Sequence, residues 1–213
     1  MVELTYCVIN TERRQLLRYS LDAIARERAT VDFETETLVL DNASGDGSAG
    51  AARDHAATST VIALEQRRDL AGNASELLRR ARGRFCLLLD EDSELEPGAT
   101  AALHGALAAR EEAAAAGATL VNPSGDRLPS AWRFPGPMTA LLSRLRRRLA
   151  AQSHGNEVRA VDWAPASALL VRREAAERVG WLEGGEIAFC RRLDRAGWEV
   201  LYVPEARAVR HDA

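Results

Sequence analysis

Three acids in succession, Asp90-Glu91-Asp92, close the apolar run Phe85-Cys86-Leu87-Leu88-Leu89. Carboxylates at the end of a buried strand make either a solvated turn or a cation site. Residues two apart in a strand share a face, so Asp90 and Asp92 can converge on one hard ion, Mn²⁺ or Mg²⁺, and such an ion would serve a phosphate. Two further polar clusters end apolar runs in the same way. Asn10-Thr11-Glu12 follows Leu4 to Ile9, and Asp41-Asn42-Ala43-Ser44 follows Leu38-Val39-Leu40. A carboxylate such as Asp41 can accept a hydrogen bond from the imide N–H of uracil or thymine, or from ribose hydroxyls. The alternative for Asp41-Asn42 is an Asx turn that caps the next helix.

The elements that must position these groups alternate regularly. Leu4 to Ile9 predicts a strand, and Arg13 to Arg28, with Leu16, Leu17, Leu21 and Ile24 at helical spacing, predicts an amphipathic helix. Strands at 37–41 and 60–64, with helices at 49–57 and 71–81, continue the pattern into the acidic run. Four strands alternating with helices predict an α/β fold with a parallel sheet and ligands at the carboxyl ends of its strands. The three polar clusters would then meet on one edge.

Beyond Pro97, the Ala-rich stretch from Ala99 to Ala116, closed by Gly117, predicts a helix. Met138 to Leu149 places Met138, Leu141, Leu142, Leu145 and Leu149 on one helical face, with four arginines around it. That stripe either packs on the protein's own core or lays a basic helix on an anionic membrane surface or a phosphorylated acceptor. Strands are expected at 161–163, 168–171, 199–203 and 207–209, and helices at 173–179 and 187–196. Gly184-Gly185-Glu186 opens the last helix, so Glu186 falls in its first turn, where the dipole favours an anion.

The 213 residues suffice for one domain, 1–213, with no linker-like stretch. All 28 cationic residues are Arg, and the net charge of -3 excludes bulk polycation behaviour, so no nucleic-acid partner is expected. Cys7, Cys86 and Cys190 are scattered in apolar contexts and read as reduced core residues of a cytoplasmic protein. No stretch is apolar enough for a signal or a membrane span. Gly45-Asp46-Gly47-Ser48-Ala49-Gly50 matches GxGxxG literally, which raises an NAD(P)-binding oxidoreductase. Four polar residues separate it from its strand, whereas a dinucleotide fold sets the first glycine almost against the strand.

Leu38-Val39-Leu40-Asp41-Asn42-Ala43-Ser44-Gly45-Asp46-Gly47-Ser48, Ala81-Arg82-Gly83-Arg84-Phe85 leading into Asp90-Glu91-Asp92, and Val161-Asp162-Trp163 through Val179-Gly180 together resemble the inverting glycosyltransferases of family 2. The resemblance covers nearly the whole chain and implies the GT-A fold, with a nucleotide-sugar-binding half at 1–97 and an acceptor-binding half at 98–213. It implies a metal-dependent hexosyl transfer from a nucleoside diphosphate sugar, of UDP or dTDP type, to a saccharide, lipid-linked glycan or small-molecule acceptor. Asn10, Thr11, Asp41, Asn73 and Asp90 would bind the nucleotide. Asp92 and His211 would ligate the metal, with Arg210 competing for the register of His211. Glu186 falls on the position of the family's base, and Glu183 is a second candidate. Here the chain departs from the family: the loop before the base is shortened and reads Gly185-Glu186-Ile187-Ala188. That departure motivates a rival, a catalytically degenerate GT-A domain that binds a nucleotide sugar or a partner protein without turnover.

Overall fold

Leu4–Asn10 (β1), Thr35–Asp41 (β2) and Phe85–Asp90 (β4) are buried along almost their whole length, with β1 and β4 largely apolar and β2 apolar at Leu38 to Leu40, as strands covered on both faces require. Thr60–Ala63 (β3) is more exposed and takes the sheet edge. Helices Arg14–Arg28 (α1), Ser48–Arg53 (α2) and Leu70–Arg80 (α3) connect them. The computed structural model describes residues 1–134 and 155–211. Its remaining elements are Ser93–Leu95 (β5), Ala99–Ala108 (α4), Ala113–Val121 (β6), Arg159–Val161 (β7), Ala168–Arg172 (β8), Arg173–Val179 (α5), Gly185–Arg195 (α6) and Glu199–Arg210 (β9). The basic stripe at 138–149 lies outside the described residues. Among the described residues, no helix is long and apolar enough to cross a membrane.

The strands form one mixed sheet in the order β3-β2-β1-β4-β8-β6-β9-β5, with β7 beside β9. β1 pairs parallel with β2 and β4, while β8 runs antiparallel between β4 and β6. This register sets Asn10 opposite Asp41, Ile9 opposite Asp90, and Leu89 opposite Ala168. The carboxyl ends of β1, β2 and β4 therefore share an edge with the amino end of β8.

Alternation along β1 divides the core. Leu4, Tyr6 and Val8 pack with Leu17, Leu21 and Ile24 of α1, whereas Cys7 and Ile9 face the layer of Leu77 and Leu78 of α3 and Phe189 of α6. All three cysteines are free and buried. Glu27 of α1, 1% exposed, accepts hydrogen bonds from the Gly98 and Thr100 amides at 2.8 and 2.7 Å, and so satisfies two orphan donors at the start of α4.

The Ala-rich segment corrects the expected helix at 99–116. Only Ala99–Ala108 is helical, and Ala113–Val121 is a fully buried strand between β8 and β9. Alanine has the highest helix propensity, but a crowded sheet centre selects small side chains more strongly. At Gly117 even a Cβ would lie 2.4 Å from the Cβ of Ala164.

A buried carboxylate ties β2 to the chain entering β4. Glu36 accepts from the Thr5 hydroxyl at 2.8 Å, the Arg82 amide at 2.7 Å and the Arg82 guanidinium at 2.7 Å. Burial pushes its carboxyl up, but these hydrogen bonds and the Arg82 charge outweigh burial and hold it below the usual range. A depressed folded-state pKa gives stability that is present above the unfolded value, about 4.3, and lost as pH falls through the folded one. Glu36→Gln is expected to cost about 1.5–3 kcal/mol at pH 7. Urea unfolding at pH 7 and pH 3 should show that difference shrinking at the lower pH.

Candidate functional site

The loops after β1, β2 and β3 are joined by side chains. Asn10 donates to Asp41 Oδ1 at 2.9 Å and to the Ser44 hydroxyl at 3.2 Å, and the Ser44 amide closes an Asx turn on Asp41 Oδ2 at 3.1 Å. Asp41 is 2% exposed. The turn is thus present, yet it does not cap the next helix, whose N-cap is Gly47. Asp46 meets that helix instead, accepting from the Ser48 amide at 3.0 Å. Asn42 grips the loop after β3 through both backbone groups of Arg68, at 2.9 and 3.1 Å, and reaches the Thr11 hydroxyl at 3.3 Å.

Glu12 and Ser44 belong to two of the polar clusters that end the strands, but the sequence assigns neither a role of its own. Glu12 stands at φ 56°, a costly conformation for a residue with a side chain. Its carboxylate takes the Gly45 amide at 3.0 Å and Arg67 at 2.7 Å, while its own amide donates to Ser44. Arg67 therefore faces Glu12. Asn73, in the first turn of α3, is fully buried, and neither atom of its amide group has a partner among the described residues.

Asp90 accepts from the Ser167 hydroxyl at 2.7 Å. Ser167 precedes β8, and only the antiparallel pairing of β8 with β4 brings it there. Burial raises the Asp90 carboxyl above its ordinary range against the opposing Ser167 bond, and the charges of Asp92 and Glu186 raise it further. Glu91 is pushed up to about 7, first by burial and then by Asp90 and Asp92. The Glu186 charge therefore acts on Asp90.

Glu186 opens α6 after a loop that turns through left-handed backbone at Trp181, Gly184 and Gly185, φ 52°, 78° and 84°. Arg192 anchors the loop by donating to the carbonyls of Val179 and Trp181 at 2.7 and 2.8 Å. Glu183 is engaged by Arg79 of α3 at 2.6 Å. Both carboxylates line a cleft of about 550 Å³ walled by Asp69 to Gly72 and Leu182 to Gly185.

The expected metal pair does not assemble. His211 is hydrogen-bonded through its backbone amide to the Asp92 carbonyl at 3.0 Å, but its ring meets Glu94 at 3.0 Å. Arg210 takes the place beside Asp92, its Nε 3.3 Å from Oδ2. Among the described residues no three His, Cys, Asp or Glu side chains gather around a common point. With a guanidinium already on Asp92, the donor set does not fit a divalent ion, which needs several unencumbered oxygen or nitrogen ligands.

A sheet whose parallel half ends in Asp41 and Asp90-Glu91-Asp92, followed by an antiparallel insertion and the helix that carries Glu186, is the GT-A architecture. Solved structures with this fold include the mannosyltransferase PcManGT from Pyrobaculum calidifontis in complex with GDP-Man and Mn²⁺ (TM-score 0.67, 21% identity), which matches 97% of this chain. GalNAc-T7 with UDP, GalNAc and Mn²⁺ aligns at TM-score 0.73 and 13% identity over 99% of this chain. This chain spans 56% and 44% of those two chains, respectively. Residues 6–178 match the model of glycosyl transferase family 2, and the chain belongs to that family. The N-acetylglucosaminyl-diphospho-decaprenol L-rhamnosyltransferase of Mycobacterium tuberculosis is 28% identical over 224 residues, 89% of this chain and 72% of that protein.

Proposed function

We propose that this protein transfers one sugar from a uridine or deoxythymidine diphosphate sugar to an acceptor hydroxyl, with inversion at the anomeric carbon. The observation that carries this reading is the convergence of Asn10–Asp41, Asp90–Asp92 and Glu186 around one end of the sheet. Asp41 receives the imide N–H of the base on lone pairs that Asn10 and Ser44 leave open, since a carboxylate offers about four. Asp90, fixed by Ser167, meets the ribose. Glu186 removes the proton of the acceptor hydroxyl, whose oxygen attacks the anomeric carbon from the face opposite the departing diphosphate. Glu183, held by Arg79, keeps the base loop against α3.

Negative charge grows on the leaving diphosphate, so that edge of the sheet must supply positive charge. The two neighbours named above were solved with Mn²⁺, whereas in this chain Asp92 already stands beside the Arg210 guanidinium. A lipid-linked acceptor is supported by the mycobacterial relative, whose name gives a diphospho-decaprenol-linked N-acetylglucosamine as its acceptor. Such an acceptor brings the protein to a membrane surface.

The test supplies UDP and dTDP sugars, dTDP-L-rhamnose first, with a polyprenyl-diphosphate-linked N-acetylglucosamine. Release of the nucleoside diphosphate should require acceptor, and NMR of the product should show an inverted anomeric centre. Donor binding without turnover across the panel would instead favour the non-catalytic GT-A reading.

A further inference from the structure

We propose that Arg210 is the cation that receives the donor diphosphate, with Asp92 orienting it, so that this protein binds and uses its donor without a divalent ion; the inference rests on the nucleotide-sugar reading above. Three carboxylates in one turn would repel a diphosphate unless a cation stands between them. Two arginines reach that turn: the charge of Arg13 acts on Glu91, and Arg210 is hydrogen-bonded to Asp92 itself. Its place is fixed by the sheet, because Arg210 is paired with Ser93, the residue after Asp92.

The geometry leaves the guanidinium available. Only Nε engages Asp92, at 3.3 Å, and among the described residues its two terminal nitrogens have no partner. Those nitrogens carry the parallel donors that match paired phosphate oxygens. The Asp92 side chain is 10% exposed and that of Arg210 39%, so the carboxylate lies inside and the cation faces outward. The Arg210 charge also acts on Asp90, at the start of the acidic turn. His211, the alternative ligand, is committed to Glu94. No covalent step is added: Arg210 donates hydrogen bonds to the diphosphate as the bond from the anomeric carbon to it breaks.

The experiment is calorimetric titration of the whole protein with UDP and dTDP, in EDTA and again with Mn²⁺. Binding in EDTA that Mn²⁺ changes by less than about threefold is expected. Arg210→Ala should weaken EDTA binding roughly tenfold to hundredfold, the loss of a charged hydrogen-bonded contact, with the melting curve retained. Arg210→Gln, which keeps donors without charge, replaces it if the alanine variant fails to fold. Arg210→His should place an imidazole beside Asp92 and make binding respond to Mn²⁺; a variant that binds in EDTA as the unmutated protein does counts against the inference. Binding that appears only with Mn²⁺ in the unmutated protein overturns the inference and leaves the transferase reading standing. So does EDTA binding that neither Arg210→Ala nor Arg210→Gln weakens. If neither diphosphate binds under either condition, the nucleotide-sugar reading falls first and this inference with it.

Discussion

Sugar transfer by Glu186→Gln protein is expected to run about a hundredfold or more slower than by the unmutated protein, with donor affinity and melting temperature nearly unchanged. Gln keeps the size and hydrogen-bonding reach of Glu but cannot take a proton. Glu186 lines the cleft without an ion pair among the described residues and lies near Asp90 electrostatically. Glu183 is spoken for by Arg79 at 2.6 Å, in a pair whose side chains are 63% and 41% exposed. An exposed pair of that kind contributes only about 0–1 kcal/mol, so Glu183→Gln should change both stability and rate little. Steady-state transfer rates and donor titrations on the two variants separate the roles. A slow Glu183→Gln beside an unimpaired Glu186→Gln would move the base to Glu183. If neither substitution matters, neither residue is the base.

Asp41→Ala is expected to lose both stability and base selectivity. Asp41 is 2% exposed and satisfies the Asn10 amide group and the Ser44 backbone amide, so removing it leaves two donors short of a partner. A cost of about 2–4 kcal/mol in unfolding free energy follows. Affinity for UDP and dTDP should fall roughly tenfold to hundredfold, as for the loss of a charged hydrogen bond, and preference over ADP and GDP should vanish. Urea unfolding and competition binding with the four diphosphates measure the two effects. Equal binding of all four by the unmutated protein would reduce Asp41 to the Asx turn alone.

The sequence by itself determined the first half of this protein. β1, β2 and β4 are apolar runs with polar ends, and a right-handed alternation of strand and helix admits few sheets, so Asn10, Asp41 and Asp90 had to share an edge. Local pattern failed where neighbours decide. Ala113–Val121 has a helix former's composition and is a strand at the buried centre of the sheet, where at Gly117 even a Cβ would lie 2.4 Å from that of Ala164. Ser167 reached Asp90 only through an antiparallel pairing that no local periodicity announces. The choice between Arg210 and His211 depended on one residue of register, and neighbours in a strand point to opposite faces. β9 slips against β6, so that Ala118 meets Val203 while Thr119 meets Arg207. That bulge shifts the register beyond Pro204, and only the tertiary structure shows Arg210 Nε beside Asp92 and the His211 ring beside Glu94.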